Sequence, residues 1–433
     1  MDLISADWLL PVCSPPVHDG AVLVDRGVIV EVGPRIELAA THPDARGEHF
    51  AGCTITPGLV NAHTHLTLTA LAGVVSPRPF AEWLPELVAA LKPWEVADHE
   101  ASGVIGAQEC LLCGVTVVGD IAYGAAEVLS ASQAGLGGVY YWELLGIDAH
   151  AVPSELERLR YPSDREQFGE RVVAGLSPHS PYTAGPSLLR AAHDAAQELG
   201  VPFAIHVAES QAEVDLLRDG TGPLAAVASR TAADFAAPGT TTVEYLAELG
   251  VLDQATAIHL CHATASDIVL LATRARGAVT CPRSNRYLGN PPPHVSSLLA
   301  SGLATGVGTD SSASNADLDL MAEVRAIRDA EPDLAAEQLL ALATTGGARA
   351  IGVASRFGAL SAGMQADLAV FAVDGGDAPI EAFVRRAGRA TARAVMSEGV
   401  WRVRDGALLE PDASAAARAA DAAARSRAAL VCG

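Results

Sequence analysis

The 433-residue sequence predicts an α/β protein: a (β/α)8 TIM barrel with a small β-sandwich domain built from the N- and C-terminal segments. Three observations predict it. Eight apolar, strand-like runs alternate with Ala/Leu-rich helical stretches between residues 57 and 350. A strand-and-turn texture fills residues 1–56 and returns over residues 351–412. Histidines and carboxylates stand where six of the eight runs end, the face of such a barrel that carries chemistry.

In chain order, "GAVLVDRGVIVEVGP" holds two apolar runs split at Asp25–Gly27, a hairpin signal. The barrel strands are expected at "GLVNAHTH", "GVTVVGD", "GGVYYWEL", "RVVAGLSPH", "VPFAIHVAE", "TAIHLCH", "GAVTCP" and "LATGVGTD". Helical patterns such as "PSLLRAAHDAAQELG" and "TVEYLAELG" fall between them. The late "MQADLAVFAVD" and "ARAVMSEGVWRVRDGALL" complete the sandwich. Residues 413–433 are expected as a helix or a frayed tail.

Half the residues are hydrophobic and 18% are charged, so a sizeable core is expected. No apolar run reaches the roughly 18 residues of a membrane span. "MDLISADWLLP" lacks the positive start and cleavage site of a signal peptide, so the cytoplasm is the expected compartment. A net charge of −22 opposes nucleic acid as a partner. A small-molecule substrate is expected instead, with a homodimer left open. Seven irregularly spaced cysteines argue against a disulfide framework. Cys110 and Cys113 read as small buried residues at a helix end. Lys92 is the only lysine.

The strand ends carry the functional reading. His63 and His65 sit two apart, on one side of a strand. Asp120 ends the second run, His179 the fourth, His206 and Glu209 the fifth, His259 and His262 the sixth, and Asp310 the eighth. Scattered core histidines would not collect at one end of one sheet. His63, His65, His206 and Asp310 supply three imidazoles and a carboxylate, a donor set for one metal ion with a position left for water. The first and eighth strands become neighbours only if the barrel closes, so the site and the fold support each other. Glu209 would lean over the same pocket and, kept protonated by burial, give a proton to a ring nitrogen. Bland alternatives exist: Asp310 as a helix N-cap, Glu209 as an exposed residue opening a helix, His179 as a packed loop histidine, His262 as structural.

Together, "PGLVNAHTHL", "SPHSPYT", "HVAES", "CPRSN", "GTDSSASN" and the closing "GALSAGMQADLAVF" resemble the amidohydrolase superfamily over nearly the whole chain. The similarity is to its branch of aminohydrolases and chlorohydrolases acting on nucleobases and related heterocycles. It implies one divalent metal, zinc or iron, held by His63, His65, His206 and Asp310. It implies attack of metal-activated hydroxide on a ring amidine carbon with release of ammonia. Glu209 is then the proton donor to the ring, His259 the group that orients the hydroxide, and Asp310 the shuttle to the leaving amine. Branches with two metals use a barrel lysine, and Lys92 in "AALKPWEV" is not on a barrel strand.

"GLSPHSPYT", "CPRSNRYLG" and "YLAELGVL" are most similar to aminodeoxyfutalosine deaminases of the futalosine route to menaquinone. That substrate is an adenine nucleoside carrying a benzoate. The expected substrate contacts are His179, Trp83 in the lid-like "RPFAEWLPEL", and Arg283, Ser284, Asn285 and Arg286. Arg283 or Arg286 would pair with the carboxylate, with loop bracing as the alternative for Arg283. Other readings are deamination of adenosine, S-adenosylhomocysteine, methylthioadenosine or guanine, or hydrolysis of a triazine. A non-catalytic metal-binding barrel is disfavoured because the site looks complete.

Overall fold

A computed structural model describes residues 1–146, 171–232 and 234–432. The chain opens with β1 (Asp2–Leu9), β2 (Val17–Asp25), β3 (Val28–Pro34) and β4 (Arg46–Pro57). The β2–β3 hairpin turns on Arg26 and Gly27, with φ of 47° and 78°. Positive φ at both central residues is the two-residue turn whose twist matches antiparallel strands, at the place the sequence marks.

The barrel follows as β5 (Leu59–Thr64), β6 (Val115–Ala122), β7 (Gly137–Leu144), β8 (Val172–Pro178), β9 (Phe203–Val207), β10 (Ala255–His259), β11 (Gly277–Thr280) and β12 (Ala304–Val307). Six lie within the expected runs, and β6 and β10 overrun theirs by two residues and one. The strands stand side by side in sequence order, all parallel, from β5 to β12. The seam between the first and last strands is closed at the mouth. There Thr64 and Asp310 form a parallel bridge, and the Asp310 N–H donates to the His63 carbonyl at 3.0 Å. Gly308 makes this approach possible, since a Cβ there would lie 2.5 Å from the His63 carbonyl oxygen. Val60, Val139, Tyr141, Ala204, Ile258 and Val279 belong to one buried cluster, so the barrel is filled and its chemistry is confined to the mouth.

The chain ends with β13 (Leu368–Phe371), β14 (Ala392–Ser397), β15 (Val400–Arg404) and β16 (Ala407–Leu408). They join the first four strands in one eight-stranded sheet, β16-β15-β14-β13-β4-β1-β2-β3. β4 and β13 pair antiparallel, joining the two ends of the chain, and β1–β4 is its one parallel pairing. Ile4, Val22, Ile55, Leu368, Val370 and Met396 gather in its apolar core. This sheet is tied to the barrel by Arg171, just before β8, whose guanidinium donates two hydrogen bonds of 2.8 Å to Asp367.

Residues Ala413–Cys432 form a docked helix, not a tail. Arg418 and Arg425 reach the buried Asp98 at 2.8 and 2.6 Å. Trp94 Nε1 donates to Ser426 Oγ at 2.8 Å. Cys110 closes the helix Val96–Leu112 and Cys113 caps it, both buried with thiols pushed up by burial, as expected for core cysteines. Lys92 caps the helix Phe80–Leu91, away from the barrel strands. Among the described residues no helix is long and apolar enough to cross a membrane.

Candidate active site

The site begins with an irregularity in β5. Val60 and Ala62 join the apolar filling, and strict alternation would send His63 the other way. The pairing with β6 shifts register between Asn61 and Thr64. His63 and His65 thereby face one centre, with rings 5.0 Å apart, and His206 from β9 lies 5.0 Å from His63. Ligand nitrogens of the three all lie within 4.8 Å of one another.

Their protonation fits a metal. Burial lowers the pKa of His63, brings His65 down to about 3 and holds His206 well below the usual range, so the lone pairs are free. Both ring nitrogens of His63 and Nδ1 of His65 are buried without a hydrogen-bond partner. His206 Nδ1 lies 2.8 Å from the His179 carbonyl oxygen, which places the proton there and leaves Nε2 for a cation. Buried nitrogens without partners would be costly unless something binds them.

Asp310 brings the carboxylate. Its Oδ1 is 3.6 Å from His63 Nε2 and 3.5 Å from His65 Nε2. Its φ of 57° is the left-handed conformation, which costs a non-glycine residue about 1–2 kcal/mol and is retained where a site requires it. Ser284 Oγ donates to Oδ2 at 2.6 Å, Ser314 Oγ at 3.1 Å, and the Ser311 N–H donates to Oδ1 at 2.7 Å. Burial pushes this carboxyl up, but the neighbouring imidazoles of His63, His65 and His259 prevail and hold it well below the usual range. Asp310 is no helix cap: the following helix is Leu320–Ala330, capped by Asp319.

Glu209 follows β9 and is 3% exposed. The next helix, Gln211–Asp219, is capped by Ser210, so Glu209 is neither exposed nor a helix opener. Glu213 reaches back to accept the Ala208 and Glu209 N–H groups at 2.8 and 2.9 Å and the Thr242 hydroxyl at 2.8 Å, which fixes the turn. Burial, then the charges of Asp310 and Glu213, raise Glu209 well above the usual range. His259, at φ 76°, ends β10 with Nδ1 2.9 Å from Asn285 Oδ1 and Nε2 3.9 Å from Glu209 Oε1. Asn285 thus holds the proton on Nδ1 and turns Nε2 toward the centre.

The expected substrate contacts divide. His179 stacks on His206 at 4.5 Å and bonds Thr183 Oγ1 and Ser180 Oγ through Nδ1 at 2.9 and 3.0 Å; burial brings it down to about 4. Trp83 is buried on the helix Phe80–Leu91, its Nε1 unpartnered. It continues an aromatic wall through Phe80 and Tyr182 to His179. Ser284 and Asn285 have their hydroxyl and carbonyl spent on Asp310 and His259, so their visible work is to position those groups. Arg283 takes the bracing alternative. It pairs with Asp317 at 2.7 Å and lies 3.5 Å from the fully buried Glu323, which also accepts the Arg283 N–H at 2.8 Å. A buried carboxylate requires such partners, and they occupy the guanidinium. Arg286 is exposed and stands outside this network. His262 is half-buried and donates its backbone N–H to the Ala208 carbonyl.

Sequence reasoning missed Glu213, Ser314 and Glu323, which act only through loops folded back on one another. It also missed Glu143, whose one signal was its place at the end of the third run.

The family profile described as "Amidohydrolase family" matches residues 54–402, and a shorter one, for an imidazolonepropionase-like composite domain of bacteria, matches residues 20–45. The aminodeoxyfutalosine deaminase of Deinococcus radiodurans is 33% identical over 368 residues, 81% of this chain and 85% of that one. A 5-methylthioadenosine/S-adenosylhomocysteine deaminase of Desulforudis audaxviator is 30% identical over 385 residues, 86% of this chain and 85% of that one. Among solved structures, an adenosine deaminase from Xanthomonas campestris with bound zinc superposes with a TM-score of 0.82 at 25% identity, covering 98% of both chains.

Proposed function

The chain belongs to the amidohydrolase family and is a hydrolase acting on C–N bonds, and from this premise we propose that it deaminates an adenine-type nucleoside, aminodeoxyfutalosine before the others. The observation that carries deamination is Glu209: a buried carboxyl, pushed well above its usual range, 3.9 Å from His259 Nε2 and close to Asp310 and the three-imidazole group. A ring opened to attack by water needs a proton on the neighbouring nitrogen, and this is the group able to give one.

His63, His65, His206 and Asp310 would hold one divalent ion, zinc by preference for three imidazoles and a carboxylate. Such an ion, when bound, supplies acidified water as nucleophile. The remaining work belongs to side chains. Asp310, ionised and fixed by three hydrogen bonds, takes the water's proton and returns it to the departing amine. Glu209 protonates the ring nitrogen. His259 Nε2, fixed through Asn285, aligns the nucleophile against the ring. The stack of His179 on His206 and the Trp83 wall bound the place for the base.

Aminodeoxyfutalosine is preferred on the similarity to the Deinococcus enzyme and on Arg286, an exposed cation at the edge of the site loop, suited to a distal carboxylate. The methylthioadenosine/S-adenosylhomocysteine reading has support of similar extent. Ammonia release by the zinc-loaded protein decides between them, measured on aminodeoxyfutalosine, S-adenosylhomocysteine, methylthioadenosine, adenosine, guanine, cytosine and a triazine. The expected result is the highest kcat/KM on aminodeoxyfutalosine. Turnover of the triazine alone would remove the nucleoside reading.

A further inference from the structure

One half-buried acid at the barrel mouth has no part in the chemistry above. Glu143 is the penultimate residue of β7. It shares a face with Tyr141, part of the barrel's inner filling, and stands one step nearer the mouth. Across the β7–β8 ladder it is opposite Ser177, and His179 lies two residues beyond Ser177 on the same face. The His179 N–H also donates to the Leu144 carbonyl at 3.2 Å, so the two strand ends are joined beside the site. Tyr182 packs on His179.

Two polar atoms here lack partners. Glu143 Oε2 and Ser177 Oγ are both buried without a hydrogen bond among the described residues, although they face each other across one ladder. Burial raises the Glu143 carboxyl to about 8, with a hydrogen bond from Tyr123 opposing the shift. Unpaired buried polar atoms cost free energy, and they are retained where a ligand completes them.

We propose that Glu143, with Ser177 beside it, receives the sugar hydroxyls of the nucleoside. This rests on the nucleoside reading of the site. With the base against Glu209 and His259, the next polar groups of such a substrate are the vicinal hydroxyls. A diol needs a group that both accepts and donates, which a carboxyl and a serine hydroxyl together provide. The helix Phe80–Leu91 has no acid free for the task, because Glu82 is exposed and Glu86 is paired with Arg78.

The test compares adenosine with 2′,3′-dideoxyadenosine in the zinc-loaded wild type, Glu143→Ala, Glu143→Gln and Ser177→Ala, with zinc content and Tm measured on each. Glu143→Ala is expected to lose about 10–100-fold in kcat/KM on adenosine, chiefly through KM, and less than about 3-fold on the dideoxy compound. Glu143→Gln, which keeps an acceptor and a donor, should recover part of the loss. Equal losses on both substrates, or none, would overturn the assignment while leaving the deaminase reading intact. A wild type that turns over neither nucleoside but acts on another ring would overturn both.

Discussion

The two halves of the barrel mouth are built differently. On the side of β5 and β9–β12, three reactive groups are held by the protein itself: His206 by the His179 carbonyl, His259 by Asn285, Asp310 by Ser284, Ser311 and Ser314; the ring nitrogens of His63 and His65 left without partners among the described residues are those that would hold the metal. On the side of β7, β8 and the helix Phe80–Leu91, Glu143, Ser177 and Trp83 each end in a buried polar atom with no partner among the described residues. The first half is fixed before substrate arrives, which is how oriented groups stabilise developing charge without reorganising. The second half keeps its hydrogen bonds for the substrate, and a site left unpaired by the wrong ligand discriminates strongly. Substitutions on the first side should therefore change kcat for every substrate, and on the second side KM for some.

The largest effect is expected at the residues proposed to hold the metal. His206→Ala should lose stoichiometric zinc and at least about 10⁴-fold in activity on all substrates, since the nucleophile depends on the ion. Chelated wild type should recover on adding zinc and the variant should not; a zinc-free His206→Ala with near wild-type turnover would break the comparison at its root. Glu209→Gln comes next. It should keep its zinc and drop kcat by about 10²–10⁴-fold with little change in KM, because it removes a proton donor and no ligand. Metal analysis beside steady-state kinetics separates these two variants.

Ser284→Ala probes the support around Asp310. The 2.6 Å hydrogen bond to Oδ2 would go, while those from Ser314 and Ser311 remain. A fall of about 10-fold in kcat with unchanged zinc is expected, from the roughly 1.5–3 kcal/mol of a hydrogen bond to a charged group, partly replaced by the remaining donors. If KM for the nucleoside rises instead, Ser284 touches substrate and the boundary between the halves must be redrawn.

How much of this was legible in the sequence follows the same division. The β strands of the barrel read clearly because each is a short apolar run, and six of the eight end in a histidine or carboxylate. His63, His65, His206, His259 and Asp310 read clearly because they occupy those ends. The β5 register shift that turns His63 inward left no mark beyond the H-x-H itself. The partners of Arg283 could not be read, since Asp317 and Glu323 lie in a different loop and helix and meet it only when the two site loops fold together. Glu143 was hidden by its neighbours: in "GGVYYWEL" an acid amid aromatics looks like the edge of a strand. The alanine-rich C-terminus reads equally as helix or tail until Asp98, far away in sequence, supplies the anchor for Arg418 and Arg425.

The smallest expected effect falls on the outermost residue of the recognition side. Arg283 is held by two carboxylates, so of the two arginines in "CPRSNRYLG" only Arg286 stands free of that network and faces solvent. An exposed cation pairs weakly with a substrate anion, because water and salt screen it. Arg286→Ala should therefore raise KM for aminodeoxyfutalosine by only about 3–10-fold, leaving kcat untouched and adenosine unaffected. In the wild type, raising the salt concentration should shrink the preference for the carboxylate-bearing substrate, and in the variant it should not. Arg286→Lys should keep the salt dependence and lose part of the preference, since a point charge replaces a planar fork. If adenosine suffers as much as aminodeoxyfutalosine, the arginine shapes the loop and the carboxylate lies elsewhere. The separation between a rigid chemical half and a receptive half would then need another residue to carry its outer edge.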